Sequence, residues 1–263
     1  MVRIALGLEY DGSRFCGWQT QPNACAIQDA LEVALTEIAS EPITTASAGR
    51  TDTGVHALAQ VVHFDTHATR PESAWVRGVN ALLPPAVSVR WAREVAPEFH
   101  ARFCAHARRY RYVLLNRAVR PGLAAGRVGW FHAPLDLDAM QSAANQLLGE
   151  HDFSAFRASE CQAKTPVRTL IELSIRRAND LVLFDLRANA FLHHMVRNII
   201  GGLVYVGKGK YPPEWMGEIL AGRDRKLAAP TFSPDGLYLS GVEYEAKWEI
   251  PSANEMMVEE LLS

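Results

Sequence analysis

The chain has 263 residues, 48% hydrophobic and 21% charged, which is enough apolar content to bury a core and rules out wholesale disorder. The formal net charge is −2, and the lack of any apolar run of about 18 residues, with a mean hydropathy of −0.06, excludes a helical membrane span.

Residues 3–10 alternate with Ile4, Leu6, Leu8 and Tyr10 on one side, predicting a strand with one buried face that turns at Asp11-Gly12. This N-terminal stretch has no signal-peptide core and reads as mature sequence. Ile27, Leu31, Ala34, Leu35 and Ile38 recur at helical spacing, so a helix is expected over 27–39, stopping before Pro42. Strands are expected at 43–47 and 59–66, a short helix opening at Pro71, and a strand at 87–95. Further on, Arg108–Leu115 reads as a strand and 136–148 as a helix starting near Asp136. Strands 168–177 and 181–188 are joined at Asn179-Asp180. An amphipathic helix follows, with Leu192, Met195, Val196, Ile199, Ile200, Leu203 and Val206 on its stripe and Arg197, His194, Asn198 and Gly201 off it. The tail after Pro251 reads as a loose amphipathic end. Cys16, Cys25, Cys104 and Cys161 contain no C-x-x-C pair, which disfavours a disulfide scaffold or zinc knuckle and fits a reducing cytoplasm.

Charge is unevenly spread. No Asp or Glu occurs from Phe99 to Leu135, where Arg102, Arg108, Arg109, Arg111, Arg117, Arg120 and Arg127 fall. Ahead of Glu243 the chain carries 26 basic and 23 acidic side chains, and the acid-rich end reverses the balance. Of the 27 basic residues 22 are arginine, whose planar fork pairs with phosphate and stacks on bases. The carboxylate-free stretch points to a phosphate-tracking surface.

The segment Ala48-Gly49-Arg50-Thr51-Asp52-Thr53-Gly54-Val55-His56-Ala57 sets an Arg-x-Asp between two glycines, flanked by strands. Such a turn is tight and open to a substrate, and it can hold an ionised carboxylate beside cations. Residue types alone favour an ordinary Asx-turn with a capping aspartate.

The segment resembles the catalytic signature of the TruA family of tRNA pseudouridine synthases. Further matches follow in family order. They include Tyr10-Asp11-Gly12, Gly17-Trp18-Gln19, Phe99-His100-Ala101-Arg102-Phe103, Arg108-Arg109-Tyr110-Arg111-Tyr112, His193-His194-Met195-Val196-Arg197-Asn198 and Gly236-Leu237-Tyr238-Leu239. The likeness runs from about Ile4 to Tyr244. Thr53 and Pro230 stand where many members have alanine, and Ala118 where some have a basic residue. The resemblance implies isomerisation of uridine to pseudouridine at positions 38, 39 and 40 of the tRNA anticodon stem-loop. The C1′–N1 bond breaks, the base turns while bound, and C5 bonds to C1′, with no cofactor and no metal. Asp52, Tyr110 and Arg197 are implied as catalytic. Asp52 acts as nucleophile or as base, Tyr110 stacks on the everted uracil, and Arg197 pairs with the aspartate. Arg50 is implied in filling the vacated space. Arg102, Phe131, Phe99, Phe103 and the 160–164 loop with Gln162 and Lys164 are implied as tRNA contacts. The partners implied are tRNA and a second copy in a homodimer, with no membrane and a cytoplasmic location.

The expected fold is α+β. Two similar halves, 1–104 and 105–245, have mostly antiparallel sheets covered by helices and an active-site cleft between them, and an acidic tail spans 246–263. Two rival readings are a non-catalytic RNA-binding module and a metal-dependent hydrolase built on His56, His63, His67, His193 and His194. The first is disfavoured by intact Asp52, Tyr110 and Arg197. The second lacks an H-E-x-x-H, and satisfied structural histidines suit the sequence better. Gly202-x-x-x-x-Gly207-Lys208 lacks the Ser/Thr of a P-loop and continues a helix instead of opening one.

Overall fold

The computed structural model describes residues 1–251, and the expected amphipathic end after Pro251 lies outside the described residues. The described residues divide into two units, Met1–His106 with 238–251, and Ala107–Leu237.

In the first unit β1 (Val2–Tyr10) is followed by α1 (Ile27–Ala39), a two-residue β2 (Ala46–Ser47) and β3 (His56–Thr66). A wide helical turn, Ala74–Gly78, then leads into α2 (Val79–Leu82) and β4 (Val87–Val95). β1 lies between β3 and β4, antiparallel to both, with Ile4 opposite Phe64 and Ala5 opposite His63. The last strand, Leu237–Tyr244, adds to β3 in parallel at Tyr238 and Leu239. α1 ends as its sequence requires. The Asp29 carboxylate accepts from the Ala26 N–H at its start, and Ser40 takes a left-handed conformation just ahead of Pro42. Leu31 and Leu35 are fully buried, each contributing about 1.5–3 kcal/mol of apolar transfer.

The expectation of one buried face on β1 is corrected. Ile4 shares a face with Phe64, whose ring meets Trp75 of the helical layer at 5.3 Å. Ala5 faces the other way into a second small core with Ala48, Val61, Phe99 and Ala101, against which Tyr244 and Trp248 pack. Both faces are therefore covered, which alternation alone cannot show. The strand expected at 43–47 shrinks to two residues, and β3 begins three residues early, at His56.

A second correction concerns the cysteines. Cys16 and Cys25 form a disulfide, since the loop between them folds back until the Cys16 N–H donates to the Cys25 carbonyl at 3.0 Å. Cys104 and Cys161 are free thiols.

In the second unit β5 (Ala105–Asn116) pairs antiparallel with β9 (Leu181–Ala188), which pairs with β8 (Val167–Ala178), and β8 carries β7 (Gly149–Asp152) at its edge. A short β6 (Gly129–Phe131) runs parallel to the end of β5. α3 (Leu137–Asn145) starts on Asp136, whose carboxylate accepts from the Ala139 N–H at 3.0 Å. Gln141 of α3 grips β8 through the Leu173 carbonyl and the Ile175 N–H. α4 (Met195–Gly207) packs against α3 and against α5 (Trp215–Gly222). Each unit is thus a mostly antiparallel sheet with helices, in line with the expected α+β class. α4 differs in detail. It starts at Met195, three residues after Leu192, and Asn198 and Gly201 are buried along with its apolar stripe.

Candidate active site

The loop 48–56 of the first unit is anchored from below at several points. The Trp18 N–H donates to the Thr51 carbonyl at 2.9 Å, and the Gln60 amide donates to the Gly49 carbonyl at 2.6 Å. The Thr51 hydroxyl is buried at 2.8 Å from the Tyr10 hydroxyl. At the far end the Val55 N–H donates to the Asp52 carbonyl at 3.1 Å, closing a turn whose third residue, Gly54, has φ +80°. That sign of φ is why glycine is needed there. Gly17, at φ +96°, fits under the loop where a side chain would lie 2.9 Å from the Thr51 carbonyl oxygen. With Thr51 turned inward, Asp52 is half-buried while Arg50 and Thr53 are exposed. A carboxylate held on a braced turn with partial access to solvent can act as a nucleophile or a base.

His56 and His63 are satisfied structural histidines. His56 Nδ1 accepts from the Gly12 N–H at 3.1 Å and its ring stacks on Tyr238 at 4.7 Å. His63 Nδ1 accepts from the Ala101 N–H at 3.2 Å. Burial, then repulsion from His100 and Arg3, pushes the His63 pKa down to about 4, so its imidazole is neutral.

The 99–103 motif splits in two. Phe103 is 75% exposed, its ring 4.3 Å from His100 and under the Arg102 guanidinium at 5.7 Å, and Arg102 is exposed as well. Phe99, expected to contact substrate, is 0% exposed and belongs to the small core, its ring 5.2 Å from Tyr244 and 5.6 Å from Trp248. It has no surface to offer a ligand, so its place in the binding set is withdrawn.

In the second unit Tyr110 is nearly buried on β5, edge-on to Phe191 at 5.0 Å. Arg197 sits in the first turn of α4, half-buried, and is clasped twice by one residue. Its Nε donates to the Phe232 carbonyl at 2.9 Å, and the Phe232 N–H donates to the Arg197 carbonyl at 3.2 Å. The next residue, Asn198, is the hub of a buried polar cluster that sequence reasoning missed. Its amide donates to the Phe156 carbonyl at 2.7 Å, and its Oδ1 accepts from Arg225 and from the Thr231 hydroxyl. Arg225 also donates to the Ala229 carbonyl, which makes residues 225–232 the strap that orients α4.

Of the arginine-rich stretch, Arg109, Arg120 and Arg127 are exposed, while Arg111 is held by Asp185 of β9 at 2.6 Å. Phe131 is half-buried at the end of β6. Gln162 and Lys164 are exposed on a loop whose backbone is gripped by Arg157 through the Cys161 and Ala163 carbonyls.

Comparison with known proteins gives a consistent picture. A family model described as tRNA pseudouridine synthase matches residues 8–104 and 143–245, so Asp52 and Arg197 lie inside the matched segments and Tyr110 between them. A tRNA pseudouridine synthase A of Methylobacillus flagellatus is 60% identical over 95% of this chain and 96% of its own length. Proteins of the same name from Nitrosomonas eutropha and Thiobacillus denitrificans are 58% and 61% identical, over 100% and 97% of this chain and 95% and 98% of their own lengths. Among solved structures, a chain of a Cbf5-Nop10-Gar1 complex aligns over 90% of this chain and 48% of its own, with a TM-score of 0.40 and 11% identity, a likeness too slight to decide anything.

Proposed function

The chain belongs to the tRNA pseudouridine synthase family, and we propose that it isomerises uridine to pseudouridine at positions 38, 39 and 40 of the tRNA anticodon stem-loop, with Asp52 as the essential carboxylate. The observation that carries the assignment of Asp52 is its turn, braced through Gly49 and Thr51 and closed by Gly54, which leaves the carboxylate partly open to solvent.

The chemistry divides the work. Breaking C1′–N1 requires either attack on C1′ or removal of a sugar proton, and an ionised Asp52 serves both routes. The uracil then turns, C5 bonds to C1′, the C5 proton leaves and N1 gains one. This balance involves no redox change and no phosphoryl transfer, so it calls for no cofactor or metal. A base stacked in a stem is out of reach, so the nucleotide must be everted, and exposed Arg50 is suited to stabilise the space it leaves. Tyr110 offers a ring to stack on the uracil and a hydroxyl for proton transfer at C5. Arg197, oriented by Phe232, has the chemistry of a carboxylate partner. Exposed Arg102, Phe103, Gln162 and Lys164, with half-buried Phe131, are assigned to tRNA contact. Two copies of the chain share the tRNA as a homodimer in the cytoplasm, and among the described residues no helix is long and apolar enough to cross a membrane.

Tritium release from tRNA labelled at uracil C5 tests the reading, because it reports loss of the C5 hydrogen directly. The wild-type chain releases tritium. Asp52→Asn binds tRNA and releases none. Normal release by Asp52→Asn would move the chemistry to another carboxylate, and no release by the wild type would overturn the proposal.

A further inference from the structure

Three polar side chains lie buried in a row beneath the Asp52 turn, although aliphatic side chains could fill the same volume. Gln60 is 0% exposed, Tyr10 4% and Thr51 5%. Their hydrogen bonds form one continuous chain. Gln60 Oε1 accepts from the Val61 N–H at 3.2 Å, which leaves its amide nitrogen to donate to the Gly49 carbonyl at 2.6 Å and to the Tyr10 hydroxyl at 3.4 Å. The Tyr10 hydroxyl, whose oxygen accepts from Gln60, is paired with the Thr51 hydroxyl at 2.8 Å. Burial raises the pKa of the Tyr10 phenol, so it stays protonated across the working pH range. The ends of this chain are the backbone of Gly49 and the side chain of Thr51, the residue before Asp52. Buried polar groups cost free energy unless paired, and when fully paired they specify one geometry where an apolar core would tolerate several.

We propose that Gln60, Tyr10 and Thr51 form a positioning device for Asp52, a buried hydrogen-bond chain that fixes the height and direction of the catalytic turn without touching the tRNA. The inference rests on the assignment of Asp52 above. A carboxylate that must meet one face of an everted nucleoside tolerates little displacement, and an error of about 1 Å in such a group can cost on the order of a hundredfold in rate. The brace therefore acts on the chemical step and leaves substrate affinity alone.

Replacements that keep shape and remove one oxygen separate this role from general packing. Tyr10→Phe and Thr51→Val are each expected to lower the single-turnover rate of pseudouridine formation by about tenfold or more, with the Kd for tRNA unchanged. Thr51→Ser, which keeps the hydroxyl, restores most of the rate. The double variant Tyr10→Phe/Thr51→Val is no slower than the slower single variant, because one broken link already frees the turn. A purely structural role would instead lower the melting temperature and leave the rate per folded molecule intact. Wild-type rates in Tyr10→Phe and Thr51→Val, with Asp52→Asn silent in the same assay, overturn the positioning role while the catalytic assignment stands. Normal turnover by Asp52→Asn brings both down. Should Tyr10→Phe not fold, equal rates in Thr51→Val and Thr51→Ser overturn the proposal by themselves.

Discussion

His63 shows how one buried side chain ties the stability of the first unit to pH. Its neutral imidazole accepts the Ala101 N–H, and its pKa is held near 4 by burial first and by His100 and Arg3 after that. Between the ordinary value of 6.5 and about 4, the unfolded chain takes up a proton that the folded chain refuses. The stability His63 contributes is therefore complete above pH 6.5 and declines as the pH falls towards 4, by up to roughly 3 kcal/mol. His63→Gln should flatten this dependence between pH 7 and 4.5 in denaturant titrations, and an unchanged slope would show that the imidazole is accessible and charged when folded. At this scale the motifs single out candidate residues for the chemistry and say little about what supports them. Asp52, Arg50, Tyr110 and Arg197 stand out because their motifs are long. Phe99 was misassigned since nothing in a motif separates a residue facing the core from its neighbour facing water. Arg225 and Thr231 passed unnoticed because their value lies in reaching Asn198, a partner 27 and 33 residues away.

Elements with strong periodicity were legible almost to the residue, as with α1 over Ile27–Ala39 and the hairpin of β8 and β9. Those that escaped lack periodicity or length. β7 is four residues with no apolar alternation, and α5 is eight residues following two prolines. The disulfide escaped too, because only the folded loop brings Cys16 to Cys25. α4 is the instructive case. Asn198 and Gly201 look like a polar face, yet the 225–232 strap covers them and the helix is buried nearly all round. Gly201 is there because the strap comes close: a Cβ would lie 2.3 Å from the Pro230 carbonyl oxygen, a backbone atom that cannot rotate away. Gly201→Ala should cost about 1–3 kcal/mol by displacing the strap, although alanine is the better helix former. Gly222→Ala, at the end of α5 with open space around it, should be neutral or stabilise by up to about 1 kcal/mol. Equilibrium unfolding of the two variants checks the contrast, and equal effects would mean that the strap yields.

At the scale of the whole molecule, a chain of net charge −2 is assigned a polyanionic substrate, so the placement of charge has to matter more than its sum. The 37-residue stretch without carboxylates is basic along the sequence, but folding partly neutralises it with acids from elsewhere. Asp185 holds Arg111 at 2.6 Å, Asp180 lies 3.8 Å from Arg117, and Glu243 lies 3.4 Å from His106. Arg102 and Arg120 have exposed side chains. Binding of a nucleic acid releases condensed cations in proportion to the phosphates neutralised, so each arginine that meets a phosphate adds to the slope of log affinity against log salt. Arg120→Ala and Arg102→Ala should each weaken tRNA binding and reduce that slope by about 1. Arg111→Ala should leave the slope nearly unchanged and lower stability instead, since its charge is committed to Asp185. Titrations of the chain with tRNA between 50 and 200 mM salt, roughly the range over which such contacts are lost, distinguish the two classes. If removing Arg102 or Arg120 left the slope intact, the phosphate-tracking surface would have to be sought among other arginines. A fall in slope with Arg111→Ala would mean that Asp185 releases its partner to the RNA.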